Sequence, residues 1–287
     1  MLQAKKGKRS RFVTSQRGCI MSFIDKVIKE IKFSVKLANK PARLYKYHAL
    51  KFAPHLAAFN KIAARFEDKK GIEIGGPSKI FQKQGFIPVY PIANQVDGCN
   101  FSNNTVWENT IKEGFNYDTG SKNTGYQYIA DGMDLSTIAD ASYDFVLSSH
   151  SLEHFANPFK ALTEWLRVIK TGGTIVLAVP DPRYTFDHKR PVTTFEHLLQ
   201  DFKNNTPEND LFHLNEVLAL HDIKLDNWVK DHDDLKQRAL NNMENRCIHH
   251  HVFNIDLLKQ VMAYFKIEVL QTATSFPNNL IVIGTKQ

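Results

Sequence analysis

The chain has 287 residues, 43% of them hydrophobic, and a formal net charge of +7, enough apolar material for one large domain with additions. All but one of those net charges fall in residues 1–20, where Lys5, Lys6, Lys8, Arg9, Arg11 and Arg17 stand with no acid, so the remainder is nearly neutral and nucleic acid is an unlooked-for partner. No run of about 18 apolar residues offers a membrane span, and three scattered cysteines, Cys19, Cys99 and Cys247, argue against a disulfide framework and for a reducing, cytoplasmic setting.

Residues 1–20 lack the apolar core of a secretory signal and read as a basic, disordered extension. Met21 opens the first periodic segment and reads as a translation start. Across 21–68, Ile24, Val27, Ile28, Ile31 and Val35 recur at helical spacing up to Pro41. A second helical stretch runs from about Arg43 to Phe66 with a break at Pro54, giving a pair of N-terminal helices.

Lys70-Gly71-Ile72-Glu73-Ile74 reads as a buried strand that breaks into Gly75-Gly76-Pro77-Ser78. Two adjacent glycines let a ligand approach the main chain. Neither G-x-G-x-x-G nor G-x-x-x-x-G-K-[ST] occurs, which excludes the dinucleotide and phosphate-loop fingerprints. An acidic strand end before a turn without phosphate features suits a nucleoside bearing an amino-acid tail.

Beyond the turn, Phe86 to Tyr90 reads as an extended run and Gln95-Val96-Asp97 as another, with Asp97 placed 22 residues past Gly75 to meet ribose hydroxyls. The stretch to Gly125 is rich in Asn, Ser, Thr and Gly and reads as a surface connection carrying a helix near Thr105 to Ile111. Tyr126 to Ile129 is the next strand, ending in Ala130-Asp131-Gly132-Met133. Phe145-Val146-Leu147 then closes in Ser148-Ser149-His150. Asn157-Pro158 caps and starts a helix with Phe159, Leu162, Leu166 and Ile169 on its buried face. Thr174 to Val179 is an apolar strand suited to the middle of a parallel sheet. Phe265 to Thr272 and Asn279 to Gly284 are the last two strands.

In these motifs the chain resembles the class I S-adenosylmethionine-dependent methyltransferases. Glu73-Ile74-Gly75 matches the start of that family's E/D-x-G-x-G-x-G, and Gly76-Pro77-Ser78-Lys79 departs from the rest. Asp131 stands where the family holds the adenine amino group, and Ser142-Tyr143-Asp144-Phe145-Val146 followed by Ser151-Leu152-Glu153-His154 matches S-[FY]-D-x-V and L-E-H. The resemblance implies an α/β fold: a Rossmann-like, mostly parallel seven-stranded sheet with helices on both faces, the last strand inserted antiparallel. Core residues 69–180 and 251–287 would carry an inserted cap at 181–250. It implies S-adenosylmethionine as cofactor, held by Glu73, Gly75, Gly76, Pro77, Ser78, Asp97, Asp131, Gly132, Met133, Ser149 and His150. His150 and His154 are base candidates, with His197 or Asp187 from the cap as competitors.

The cap is dense in acids and histidines. Three readings stand side by side: a helical subdomain with a polar surface, an acceptor pocket gripped by Arg183, Tyr184, Arg190 and His213, and a metal site drawing on Cys247, His249 and His251 or on His213 with Glu216. No paired motif fixes a metal geometry, so no metal is assigned. The bacterial type-11-like relatives with a long cap after the fifth strand are associated with surface-polysaccharide products, which makes O-methylation of a sugar or sugar-linked small molecule the expected reaction. Another small acid or amine acceptor, or a catalytically silent binding protein of the same fold, is the alternative. A nicotinamide-dependent oxidoreductase is disfavoured by the absent glycine fingerprint.

Overall fold

The computed structural model describes residues 59–107, 109–275 and 278–287. The basic extension, Met21 and nearly all of the expected N-terminal helices lie outside the described residues; residues 59–62 are helical, and a 3-10 turn follows at Ala63–Arg65.

The centre is a mixed sheet of eight strands. In chain order these are β1 (Lys70–Ile74), β2 (Gln95–Asn100), β5 (Gly114–Tyr117), β6 (Gly125–Ile129), β7 (Tyr143–Ser149), β8 (Ile169–Pro180), β9 (Ile267–Ser275) and β10 (Asn279–Lys286), with β3 (Asn104–Thr105) and β4 (Asn109–Thr110) forming a separate hairpin. The spatial order is β5-β6-β2-β1-β7-β8-β10-β9. Strands β6, β2, β1, β7 and β8 run parallel, and β10 enters antiparallel between β8 and β9.

Side-chain alternation explains why β8 and β10 read as unbroken apolar runs: each feeds two cores at once. On one face Ile175, Leu177, Val179, Leu280 and Val282 join Ile72 and Ile74. There they meet α1 (Pro158–Val168), through Phe159, Leu162 and Trp165, and α6 (Ile255–Tyr264), through Leu258 and Val261. On the other face Val176, Ala178, Ile281 and Ile283 pack with Phe145 and Leu147 against Phe66, Phe81, Val89 and Tyr90. Asn157 starts α1 as expected, its side chain accepting from Lys160 N at 3.0 Å, with Pro158 in the first turn.

Four details depart from the sequence reading. The sheet has an eighth strand, β5, pairing antiparallel with β6 at the edge. The expected helix near Thr105 is the β3–β4 hairpin, consistent with the weak helix propensity of Asn and Thr. Residues 86–90 are turns and irregular backbone, not a strand: Ile87, Val89 and Tyr90 are apolar because they cover the sheet. For the same reason the second face is covered, among the described residues, by this irregular segment and not by long helices.

Residues 181–250 contain α2 (Phe195–Asn204), α3 (Leu214–Leu220), α4 (His232–Leu240) and α5 (Asn242–Asn245). Val217, Val229, Leu235, Ala239 and Ile248 form a small core of their own, which lets this segment stand over the strand ends as a body.

Candidate active site

The chain leaves β1 to one side for β2 and to the other for β7, so a crevice opens at the carboxyl ends of these strands. A cavity of about 380 Å³ occupies it, within the size range of small-molecule sites. Its floor is the strand ends: Ile74 and Gly75 after β1, Cys99 and Asn100 on β2, Ala130 and Gly132 after β6, and Ser149, His150 and Ser151 after β7. Its roof comes from the inserted segment, with Phe186, Asp226, Trp228, Arg238, Arg246 and His249.

The glycine turn is shaped by what lies beneath it. Gly75 has φ +81°, a left-handed conformation that side chains disfavour, and a Cβ there would sit 2.4 Å from Ser151 Oγ. A Cβ on Gly76 would meet Glu73 Cδ at 2.2 Å and the Tyr117 hydroxyl at 2.3 Å. Glu73 is fully buried under the turn, where its Oε2 accepts from Tyr90 and, at 2.8 Å, from Tyr117. Burial holds its pKa above the ordinary carboxylate value, against those hydrogen bonds. Ser78 N donates in turn to the Tyr90 hydroxyl at 2.8 Å. Glu73 and Ser78 are therefore the underside of the turn, a correction to their expected place on the cofactor.

Asp97 is also displaced from its expected role. It is fully buried within β2, accepting from Gln95 Nε2 at 2.6 Å, Tyr126 N at 2.8 Å and the Tyr143 hydroxyl at 2.8 Å, with Lys70 Nζ at 3.0 Å. The spacing from Gly75 counted to the strand's interior; the residue at the strand's end is Asn100. Asn100 lines the cavity, donates through Nδ2 to Gly76 O at 3.0 Å and receives Trp107 Nε1 at 3.4 Å.

Asp131 does not line the cavity. Its Oδ1 accepts from Met133 N at 2.9 Å and its Oδ2 from Arg246 Nη2 at 2.8 Å, while the Met133 side chain enters the sheet core. Glu73, Asp97 and Asp131 thus point to three different regions, yet the hollow that they were expected to line is open. Gly75, Pro77, Gly132, Ser149 and His150 do line it; Gly76, Ser78 and Met133 do not.

Histidines gather where the end of β7 meets the inserted segment. His150 adopts φ +53° at the end of β7, and its Nε2 lies 2.7 Å from Asn279 Oδ1, so this nitrogen carries the proton and donates. His154 Nδ1 donates to Ile248 O at 3.0 Å. Burial and the neighbouring His249 keep the His154 pKa well below the imidazole value. His249 packs edge-on against His154, ring centroids 4.6 Å apart, and its Nδ1 lies 2.5 Å from Asp187 Oδ2. Burial opposes charge on His249, but the Asp187 and Glu153 carboxylates outweigh it and raise the pKa. Asp187 is driven the other way, to about 2, because His249 and Arg190 override its burial. Glu153 is buried beside them with neither carboxylate oxygen hydrogen-bonded and a pKa raised by burial. Glu153, His154 and His249 each bring one ligand-capable atom within 4.8 Å of the others.

Other expected residues lie elsewhere. Asp187 is behind His249 and off the cavity, and His197 and His213 meet in a separate buried group. Arg183 is clamped on Asp181 at 2.6 Å, and Tyr184 is 57% exposed beyond the cavity. Arg190 is buried, binding Asp187 at 2.9 Å, Glu216 at 2.7 Å and the carbonyls of His249 and His250; it braces the loop that carries His249. Cys247, His249 and His251 do not converge, since their side chains go respectively to Arg238, Asp187 and the His197 group. Glu216 is taken by Arg190. Asn100, Trp107, Trp228 and Arg246 were missed: no spacing rule marks a residue whose only signal is where the chain folds back.

A family model described as Methyltransferase domain matches residues 88–177, from the approach to β2 through most of β8. With that match, the β6-β2-β1-β7-β8-β10-β9 order and the crevice are on one frame. Residues 88–177 are those of a methyltransferase domain. Its cofactor is S-adenosylmethionine, and the glycine turn, Asn100 and the aromatic Phe101 and Trp107 suit a nucleoside with an amino-acid tail. Among solved structures, a SAM-dependent methyltransferase from Thermotoga maritima is 16% identical, with 88% of this chain and 97% of that chain covered and a TM-score of 0.40. One from Methanosarcina mazei is 16% identical, covering 78% and 96%, at 0.43. One from Aquifex aeolicus is 11% identical, covering 88% and 97%, at 0.39. None of the curated proteins compared matches the chain. Among the described residues no helix is long and apolar enough to cross a membrane.

Proposed function

We propose that the methyltransferase domain methylates a hydroxyl of a sugar or sugar-linked small molecule, with His249 as general base. The observation that carries this is the Asp187–His249 pair at the roof of the cavity. Its Nδ1 is committed to Asp187, so Nε2 is the ring nitrogen left to receive a proton from an acceptor. The Asp187 carboxylate fixes that tautomer and stabilises the imidazolium once formed. His150, one of the four base candidates from sequence, is less well poised because its Nε2 is spent on Asn279.

Several features support a sugar. Trp228 is 69% exposed at the mouth and offers a flat apolar face for the C–H surface of a pyranose ring. Asp226 and Arg238 line the cavity beside it, Asp226 accepting from His221 Nε2 and Trp228 N and Arg238 donating to Trp228 O and Cys247 Sγ. When bound, S-adenosylmethionine supplies an electrophilic methyl on a sulfonium. The chain's own residues then have to align the acceptor oxygen at about 3–3.5 Å from that carbon and remove its proton. A cytoplasmic enzyme of surface-polysaccharide assembly would fit this acceptor class, and the nearly neutral body argues against a nucleic-acid substrate.

Calorimetry with S-adenosylmethionine and S-adenosylhomocysteine, followed by radiolabelled methyl transfer to a panel of nucleotide sugars and glycans, tests this. Cofactor binding with label in a hydroxyl-bearing acceptor is the expected result. Binding of neither nucleoside would make the protein a silent relative. Binding with label only in amines or carboxylates would remove the sugar reading and leave the methyltransferase intact.

A further inference from the structure

Away from the cavity, four ligand-capable side chains from three chain segments meet inside the molecule. His197 and Asp201 are one turn apart on α2, His213 immediately precedes α3, and His251 lies on the segment leading to α6. The His197 Nε2 to His213 Nε2 distance is 2.9 Å, His197 Nε2 to Asp201 Oδ2 is 3.3 Å, and His251 Nε2 to Asp201 Oδ2 is 3.8 Å. One ring nitrogen from each histidine lies within 4.8 Å of the other two. Donors on a tetrahedral ion with bonds of about 2.0–2.1 Å would be about 3.3 Å apart; the three histidines converge within the wider 4.8 Å limit, and Asp201 Oδ2, near His197 and His251, is the carboxylate next to them.

The polar accounting points the same way. His213 and His251 are buried, and Asp201 Oδ2 is a buried carboxylate oxygen with no hydrogen-bond partner. The other oxygen, Oδ1, is oriented by the Thr206 hydroxyl at 3.0 Å, as outer-shell partners of metal-bound carboxylates are. Two contacts compete with an ion: the hydrogen bond between His197 Nε2 and His213 Nε2 at 2.9 Å, and the longer one from His251 Nε2 to Ala156 O at 3.3 Å.

We propose that His197, Asp201, His213 and His251 bind one Zn2+ in a closed tetrahedral site. Three imidazoles and a carboxylate are a set that suits Zn2+ over Mg2+ or Ca2+, which prefer six or more oxygens. With all four positions filled by protein, the ion has no place for a substrate and its role is structural. It ties α2, the start of α3 and the segment before α6 together, and so fixes the inserted segment over the strand ends. None of the four residues lines the cofactor cavity, so the proposal is independent of the acceptor and of the base.

Metal analysis of protein made without a polyhistidine tag tests it, together with the visible spectrum of the Co2+-substituted form and melting temperature with and without a strong chelator. Expected are about one Zn2+ per chain, a tetrahedral Co2+ spectrum and a lower melting temperature on chelation. Asp201→Asn and His213→Asn each weaken Zn2+ binding about a hundredfold or more, whereas Glu153→Gln leaves it unchanged. If the two ligand variants fail to fold, the wild-type spectrum and chelator response decide. A metal-free wild type whose melting is indifferent to Zn2+ and chelator, an octahedral Co2+ spectrum, or metal lost on Glu153→Gln but kept on Asp201→Asn would each overturn the site.

Discussion

His249, the proposed base, and Gly76 are the two positions at which a single substitution tells most. His249→Gln keeps a polar group of similar reach but cannot take a proton, so kcat should fall about 10²–10⁴-fold while cofactor affinity changes little. Asp187→Asn should follow it in direction, since the imidazole loses the partner that fixes its tautomer. Single-turnover kinetics beside calorimetry separate the two quantities; full turnover in His249→Gln would return the base role to His150. Gly76→Ala forces a methyl group into Glu73 and Tyr117, both buried, and should cost about 1–3 kcal/mol of stability by overpacking. Because the same turn lines the cavity, it should also weaken S-adenosylhomocysteine binding, and an alanine variant with wild-type melting and affinity would show the turn to be freer than described. Glycine at 75 and 76 was legible as a turn from sequence. That it is propped from below by Glu73, Tyr90 and Tyr117 was not, because Tyr117 lies 44 residues from Glu73 in the chain.

At the scale of elements, the joint between the inserted segment and the sheet is a short polar latch. Glu208 accepts from Ala156 N at 3.0 Å and pairs with Arg246, which in turn holds Asp131 at 2.8 Å. Burial pushes the Glu208 pKa up to about 7 in spite of Arg246. In the unfolded chain this carboxyl ionises near 4.5, whereas the folded protein keeps its proton until about pH 7. The folded state binds more protons in that window, so stability falls as pH rises through it and levels off above. The full effect is up to about 3 kcal/mol. Glu208→Gln should flatten that part of the profile, measured as urea stability at pH 5 and pH 7.5; an unchanged slope would refute the assignment. The same latch explains why the Asp131 carboxylate, expected on the adenine, faces Arg246: a residue that the linear pattern presents as a strand-end acceptor is claimed by a cap residue 115 positions away.

For the whole molecule, cofactor binding to the folded state alone must raise the melting temperature. At a hundredfold excess over Kd the gain is about 2.7 kcal/mol, or roughly 5–10 °C for a body of this size. Thermal melting with S-adenosylhomocysteine measures it, and NAD(P) in the same assay should give no shift. A shift with NAD(P) instead would contradict the family assignment.

The sequence by itself determined the order of strands β1, β2, β6, β7, β8, β9 and β10, the capped helix α1 and the glycine turn. All of these are written in local periodicity and turn chemistry, which act over a few residues. Only the tertiary structure decided which carboxylates reach the hollow, because the face a residue takes on a buried strand depends on register: Asp97 goes to the core and Asn100, three residues on, goes to the cavity. It likewise decided that adjacent histidines in 249–251 serve different partners. On a regular extended chain His249 and His251 would share one side; that His249 goes to Asp187 while His251 goes to Asp201 and the His197 group is set by the irregular backbone there and by partners that folding alone brings in.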